Sequence, residues 1–466
     1  MTPEENELLT RVGPGTPMGN LFRQFWFPVV PSADAPAAGE HAIRIRLLGE
    51  DLVMFRDTAG RIGLLGEHCS HRCASLYFGR NEDGGLRCIY HGWLYGVDGR
   101  CLEIPNEAVA ESMRQHIRHP AYPCREVNGT IWTYMGPRRG DELPPLPEFG
   151  LATIPENQKR MSLTVRECNY LQSLEGDLDL SHGAYLHSFT ARDLLIGAEN
   201  HIDRYTNEKP TMDARDTPYG VVHCVRRRYD EEQYHYGVGH FFFPFMTMFP
   251  PVSDWITTVS GHIWVPIDDY STLVWFYSWH PSKPVGDPEW RSFAPRGTAI
   301  QSPSGQRIGR ADYWEERLPP GTAAGDAWRQ RAQLGNDFGY DPEVQLRGRY
   351  SGLPSTDLED RAMQEGMGRI VNRAREHLGP TDVAEMRVRM RLLEAARALR
   401  DRGEVPACVD EPSAFRFRCA SGLLPKDVPW LEGTREWTIE LPDNPVRSKG
   451  HARPAFLEPE VAQART

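Results

Sequence analysis

The chain has 466 residues, enough for two or three domains each with its own core. Its formal net charge of −11, with no clustering of Lys and Arg, argues against a nucleic-acid surface, because phosphate contact needs concentrated positive charge. Nine cysteines are too sparse for a disulfide scaffold and odd in number, which points to a reducing, cytoplasmic setting with some thiols used for metal. The acidic start Met-Thr-Pro-Glu-Glu-Asn-Glu does not read as a signal peptide. The longest apolar stretch, around His240 to Val252, is short and broken by prolines, so no membrane span is expected.

Residues 2 to 27 read as a helix and a connector that ends in the aromatic patch Phe25-Trp26-Phe27. Short β-rich runs at Ile43 to Leu48 and Leu52 to Phe55 predict a small antiparallel sheet, and Asn128-Gly129 signals a further hairpin. Within this region lie two boxes, Cys69-Ser-His71 and Cys88-Ile-Tyr-His91, with sixteen residues between His71 and Cys88. Each box offers one thiolate and one imidazole. Zinc fingers pair Cys with Cys and His with His, so zinc is the weaker alternative, together with coincidental core residues. The mixed pairing fits a Rieske [2Fe-2S] cluster, in which two Cys hold one iron and two His hold the other. Imidazole in place of two thiolates removes negative charge and raises the potential to roughly −150 to +300 mV, which makes the cluster a one-electron relay. Cys73, Cys101 and Cys124 read as ordinary buried thiols.

The stretch Asn169 to His187 carries Asp179, His182 and His187. In a regular helix Asp179 and His182 share a face, but His182 and His187 are separated by about 140°. The segment must therefore bend, and Gly183 with a π-type widening are the expected devices. Two imidazoles and one distant carboxylate would form the facial triad of a non-haem Fe(II) oxygenase, with positions left for O2. Histidines that merely cap or hydrogen-bond within a core helix are the alternative.

Farther on, Val221 to Arg226, His240 to Phe249, Trp255 to Val265 and Thr272 to Trp279 read as neighbouring antiparallel strands. Residues 281 to 325, rich in Pro, Gly and Ser, suggest a lid or a subunit contact. In Pro354-Ser-Thr-Asp-Leu-Glu-Asp360, Thr356 and Glu359 have the spacing of a capping box, and Asp357 suits a helix N-terminus. Asp360, one turn in, is the acid left over for a metal. Thr381 to Arg402 has helical spacing in Val383, Met386, Met390, Leu393 and Leu399 and is expected to pack on the sheet. Beyond Glu404 the chain reads as an extended arm.

A Rieske pair followed by Asp179-x2-His182-x4-His187 resembles the oxygenase subunit of the Rieske non-haem iron ring-hydroxylating oxygenases. Leu174-Glu-Gly-Asp-Leu-Asp-Leu-Ser-His182 and Glu359-Asp-Arg-Ala-Met-Gln-Glu365-Gly-Met-Gly resemble the phthalate dioxygenase branch, and the likeness runs from Asn6 to about Arg400. Tyr90 stands where respiratory Rieske proteins place half of a disulfide, which favours the oxygenase type. The resemblance implies an α+β fold: an all-β Rieske domain over 41–148, and over 149–430 a catalytic domain whose antiparallel sheet wraps helices in a helix-grip manner. Residues 1–40 would form the N-terminal helix and connector, and 431–466 a C-terminal arm. It implies that Cys69, His71, Cys88 and His91 hold the cluster and that His182, His187 and Asp360 hold a mononuclear Fe(II). Asp179 would link a cluster-ligand His of a neighbouring subunit to an iron-ligand His, with Asp177 and Glu175 as competitors for that place. A carboxylate accepting from both rings would set their tautomers and shorten the electron path.

The same resemblance implies an aromatic substrate, O2, and a homotrimer or stacked trimers. No nucleotide-binding fingerprint is present, so electrons are expected from a separate flavin and iron–sulfur reductase. Hydroxylation, dihydroxylation and O-demethylation all lie within this class. Phe241, Phe243, Phe245, Met246 and Met248 are candidates for the wall of the substrate cavity. A dianion needs Arg forks, and there is no Arg between Arg228 and Arg291; Arg192 and Arg204 could hold one carboxylate at most. The expected substrate is therefore an aromatic acid or ether rather than phthalate. A Rieske electron carrier fused to a non-catalytic domain that binds a hydrophobic ligand is the rival, and a usable Asp360 separates the two. A zinc hydrolase, which would be colourless, is a third.

Overall fold

Helices α1 (Pro3–Thr10) and α2 (Pro17–Phe22) both begin after a Thr whose hydroxyl accepts an N–H three residues ahead, with Pro in the first helical position. These and the elements below belong to a computed structural model that describes residues 1–187, 209–251, 256–288, 290, 311–319, 321–346 and 350–439. The expected single helix and connector is thus two helices followed by strand β1 (Trp26–Pro31), because the aromatic patch pairs with the strand Thr130–Tyr134 rather than hanging in a loop.

The N-terminal region contains three small antiparallel sheets. Strands β2 (Ile43–Leu47), β3 (Glu50–Arg56) and β4 (Ile62–Gly66) form a meander closed by β9 (Ala121–Tyr122). Strands β5 (Arg80–Glu82), β6 (Gly85–Arg87), β7 (Leu94–Gly96) and β8 (Cys101–Glu103) form a second. Strands β10 (Cys124–Val127) and β11 (Thr130–Tyr134) join β1 in the third. Asn128 and Gly129, with φ of 46° and 73°, make the two-residue connection that their sequence predicts.

The C-terminal region is built on an eight-stranded antiparallel sheet. Its order is β12 (Lys159–Arg166), β18 (Ser271–Trp279), β17 (Val259–Asp268), β16 (Met246–Met248), β15 (Gln233–Phe242), β14 (Gly220–Arg228) and β13 (Thr211–Thr217), with β19 (Ala420–Pro425) also paired to β15. The run His240 to Phe249 is two strands rather than one, since the chain turns at Phe243-Pro244. Residues beyond Glu404 are not simply an arm: the apolar run in β19 completes a sheet edge, which buries it and satisfies its backbone.

Three further helices place the site: α3 (Tyr170–Leu178), α4 (Thr356–Gly366) and α5 (Val383–Arg402). Helix α5 lies against α2, β13 and β14 and ends at Gly403 in the left-handed conformation. Its buried apolar residues are Ala384, Val388, Leu392, Leu393 and Ala396; of the expected stripe Leu393 is buried, Val383 and Leu399 are half-buried against the core, and Met390 is exposed.

Helix α3 is tied down along its length. Asn169 caps it and donates to the carbonyls of Thr10 and Asp269, and the Tyr170 hydroxyl donates to Leu9 O. Gln172 Nε2 donates to the carbonyls of Gln364 and Gly368, both at 2.7 Å. Glu175 is held by Arg373 and by Arg389 of α5. Arg166, beside the start of α3, reaches Gln364 and Asp357 of α4 at 2.8 and 2.9 Å. Helices α3 and α4 are therefore locked to one another by buried polar contacts.

Candidate active site: two metal centres

Cys69 and Cys88 sit at the starts of two loops with matching backbone geometry. The first loop joins β4 to β5 and the second joins β6 to β7. In each, the Cys carbonyl accepts an N–H four residues on, from Cys73 at 2.8 Å and Gly92 at 2.9 Å. In each, the Cys N–H donates to the carbonyl five residues on, that of Ala74 at 2.9 Å and of Trp93 at 2.8 Å. Both loops pass through the left-handed region, at Cys73 (φ 57°) and Gly92 (φ 79°). Cys73 is exposed, not buried as its type suggests, because it occupies this turn; Cys101 is buried and Cys124 half-buried, and all nine thiols are free.

The two loops bring one thiol and one imidazole each to the same place. Cys69 and Cys88 are buried, and the His71 and His91 rings lie 4.5 Å apart with His71 stacked on Trp93 at 4.6 Å. Burial pushes the Cys88 thiol up, as does the neighbouring Cys69, while the N–H groups of Tyr90 and His91 act against the rise. The Tyr95 hydroxyl lies 3.2 Å from Cys69 Sγ, and burial together with the neighbouring Cys69 pushes that phenol up. His91 Nδ1 is enclosed without a hydrogen-bond partner, the state of a nitrogen that a metal would satisfy. This donor set fits a Rieske cluster.

The second centre lies where α3 ends. The helix stops at Leu178, Asp179 adopts an extended conformation, and a 3₁₀ turn runs over His182–Ala184. The bend expected from a π-type widening is therefore made by termination of the helix. It turns both histidines toward Asp360. His182 Nε2 and His187 Nε2 are 3.1 Å apart, and Asp360 Oδ1 lies 3.6 and 3.2 Å from them. Ligand atoms of these three side chains all lie within 4.8 Å of one another, and no other such trio of His, Cys, Asp or Glu occurs among the described residues.

Each imidazole turns its other nitrogen to a carboxylate. His182 Nδ1 is 3.5 Å from Asp179 Oδ2, while Asp179 Oδ1 accepts from the N–H and hydroxyl of Ser181 and from the N–H of His182. His187 Nδ1 donates to Glu359 Oε2 at 2.7 Å, and the other Glu359 oxygen accepts from Ser351. This leaves both Nε2 atoms for a metal, with their tautomers set by carboxylates. Burial opposes charge on the rings, yet Asp360 and Glu359 raise His187 to about 10, and Asp179 leads the groups that raise His182. Burial likewise resists ionisation of Asp179 and Asp360. His182 and Ser181 nevertheless bring Asp179 down to about 2, and His187 holds Asp360 well below the usual carboxylate range. Three acids around two imidazoles make a site that attracts positive charge. Two nitrogens and one carboxylate on one side suit Fe(II) with open positions.

Glu359 is the residue that sequence reasoning assigned elsewhere. The N-cap is Ser355, whose hydroxyl accepts from Leu358, and not Thr356. That one-residue shift moves Glu359 out of the capping position and turns it inward, where it is buried. The competitors for the place beside His182 are also accounted for. Asp177 accepts from Thr247 and from His262 Nδ1 at 2.8 Å, and Glu175 is paired with two arginines.

The expected aromatic wall is placed differently. Phe245 packs edge-on against Phe22 and Phe27, and Phe243 stacks on Phe25. Met246 and Met248 flank Thr247, which faces Asp177 of α3; strand alternation therefore puts both methionines on the opposite face. Of the five residues, Phe241 shares the α3 face, as the cross-strand partner of Thr247. Arg192 and Arg204 lie outside the described residues.

The Rieske [2Fe-2S] domain family matches residues 25–116, and the family described as "LigXa C-terminal domain like" matches residues 133–319 and 317–444. The chain is 34% identical to the 3-chlorobenzoate-3,4-dioxygenase oxygenase subunit of Comamonas testosteroni, over 94% of this chain and 98% of that one. It is 33% identical to the phthalate 4,5-dioxygenase oxygenase subunit of Pseudomonas putida, over 95% and 97%. In fold it is similar to the terminal oxygenase of carbazole 1,9a-dioxygenase from Novosphingobium sp. KA1, with a TM-score of 0.52 at 18% identity over 85% of this chain and 99% of that one. No helix among the described residues is long and apolar enough to cross a membrane. With a cluster pocket and a two-histidine, one-carboxylate centre in one polypeptide, the chain belongs to the Rieske non-haem iron oxygenases as an oxygenase subunit.

Proposed function

We propose that this chain inserts oxygen from O2 into an aromatic acid or ether, with His182, His187 and Asp360 holding the catalytic Fe(II) and Cys69, His71, Cys88 and His91 holding the cluster. The observation that carries the reading is the convergence of two imidazole Nε2 atoms and one carboxylate oxygen within 4.8 Å. Bound there, Fe(II) supplies O2 activation and the cluster supplies electrons one at a time. The protein's own part is to hold both histidines in the correct tautomer through Asp179 and Glu359, and to leave one side of the triad open. A rigid constellation of this kind needs little rearrangement when substrate arrives.

Electrons come from a separate flavin and iron–sulfur reductase, in the cytoplasm. Asp179 links His182 to a cluster histidine of the next subunit in a homotrimer, single or stacked. Two exposed apolar tips favour such a contact: Ile89 and Tyr90 beside the cluster, and Tyr185 with Tyr350 beside the iron histidines. The working division is 1–40, 41–148, 149–430 and 431–466, with Phe241 as a wall of the substrate cavity.

Metal analysis together with oxygen uptake tests this. Purified protein should hold about three iron atoms per chain, two of them in a Rieske-type electron resonance signal. With a surrogate reductase, it should consume O2 only when an aromatic acid or ether is present. Two iron atoms per chain, or no substrate-dependent uptake across such compounds, would leave an electron carrier fused to a binding domain.

A further inference from the structure

The α3-facing side of the large sheet carries a second polar group that the metal centre does not use. Cross-strand pairing sets Ser162, Phe276, His262, Thr247 and Phe241 in one row over β12, β18, β17, β16 and β15. Thr247 and His262 both reach Asp177, which lies on α3 two residues before Asp179. The row thus faces the helix that leads into the iron histidines.

Most of this sheet is enclosed, but the row opens at one end. In β17 and β18 the interior residues are buried except for His262 and Phe276, which are half-buried, as are Ser162 in β12 and Phe249 just after β16. Phe249 and Phe276 flank the His262 ring at 5.6 and 5.2 Å. An imidazole between two phenyl rings is a fitting seat for a flat aromatic molecule with one polar group.

The orientation of that imidazole is set. His262 Nδ1 donates to Asp177, and Thr247, which also donates to Asp177, accepts from Trp264 Nε1 at 2.9 Å. Among the described residues His262 makes its side-chain hydrogen bond through Nδ1, and its side chain is 16% exposed. Among the described residues, other cations and imidazoles on this face are less available. His223 is enclosed, and Arg227 is buried and donates to Leu180 O.

We infer that His262 is the specificity-determining residue of this oxygenase and that its Nε2 anchors a single carboxylate on the aromatic substrate, with Asp177 as the positioning residue behind it. The substrate's carboxyl group enters together with its acidic proton, which lies between it and Nε2, so the ring is held between two carboxyl groups. Such a hydrogen bond between charged groups is among the stronger ones available in a half-buried site. The inference rests on the proposed oxygenase reading, since it names the substrate class for that same site.

The test compares 3-chlorobenzoate with 3-chlorobenzamide, which match in shape and differ in charge, by calorimetric binding to the purified holoenzyme. The parent should bind the acid at least about tenfold more tightly than the amide, and His262→Gln should bring the two within about threefold by weakening the acid. A parent without preference for the acid, or a His262→Gln protein that keeps it, overturns the inference. Should His262→Gln lose the visible cluster spectrum and so fail to fold, Asp177→Asn takes its place, with the same outcomes for and against. Binding is read without turnover. Acid preference that depends on His262 in a protein with no oxygen uptake would sink the oxygenase reading alone, and uptake without that preference would sink this one alone.

Discussion

Replacing Glu359 isolates what a buried carboxylate contributes to metal binding without touching a ligand. Its Oε2 accepts from His187 Nδ1 at 2.7 Å, and its side chain is 1% exposed, so water does not compensate for its loss. A hydrogen bond to a charged group in such a place is worth about 1.5–3 kcal/mol, which is roughly a tenfold to 150-fold change in an equilibrium constant. Outer partners of metal-bound histidines typically alter metal affinity by about 10–100-fold. Glu359→Gln can still accept from His187 but lacks the charge, so Fe(II) affinity should fall by about tenfold, and Glu359→Ala should lose about a hundredfold. Competition with a chromophoric Fe(II) chelator under anaerobic conditions reads the affinity, and the visible spectrum of the cluster should be unchanged in both variants. If Glu359→Ala binds Fe(II) as tightly as the parent, the contact to His187 does not tune the site and Glu359 is only a buried acid satisfied by Ser351.

Asp179→Asn should keep the cluster spectrum and Fe(II) while single-turnover oxygenation slows by at least about a hundredfold, because the charge that orients His182 is gone; an unchanged rate would remove Asp179 from the electron path. His240 accepts from the Tyr219 hydroxyl on Nδ1 and donates from Nε2 to Arg418 O, and burial drives it down to about 3. The neutral ring therefore stabilises the fold fully above its unfolded value near 6.5. That contribution is lost as pH falls from there toward 3, at about 1.4 kcal/mol per pH unit. In urea titrations between pH 6 and 4, His240→Gln should flatten the decline by about that slope, and an identical slope would show that His240 is not the group titrating.

The two mixed Cys/His boxes were legible because they are short, local and chemically unusual, and the loops that carry them need only a turn each. The pair His182 and His187 stood out for the same reason. What could not be read was how the segment bends: helix termination at Leu178 and a π-type widening place His182 and His187 similarly, and only the backbone distinguishes them. Asp360 was reached by finding structural duties for its neighbours, and that reasoning gave Glu359 the wrong duty. Ser355 and Thr356 are both competent caps, and choosing the second turns a buried partner of His187 into a surface residue. The aromatic wall failed because Phe241 to Met248 alternates only within a strand, and the turn at Phe243-Pro244 resets which face each side chain takes.

The braces joining α3 to α4 have a consequence for the life of the protein between turnovers. Arg166 and Gln172 fasten the backbone or side chain of Gln364 from one side, one turn along from Asp360, while the histidines follow the end of α3. The cavity's shape is thus carried by protein–protein bonds rather than by the ion, unlike small zinc modules that collapse when stripped. Removal of iron by a chelator and its return are therefore expected to leave the α3–α4 frame folded, which circular dichroism across the cycle would check.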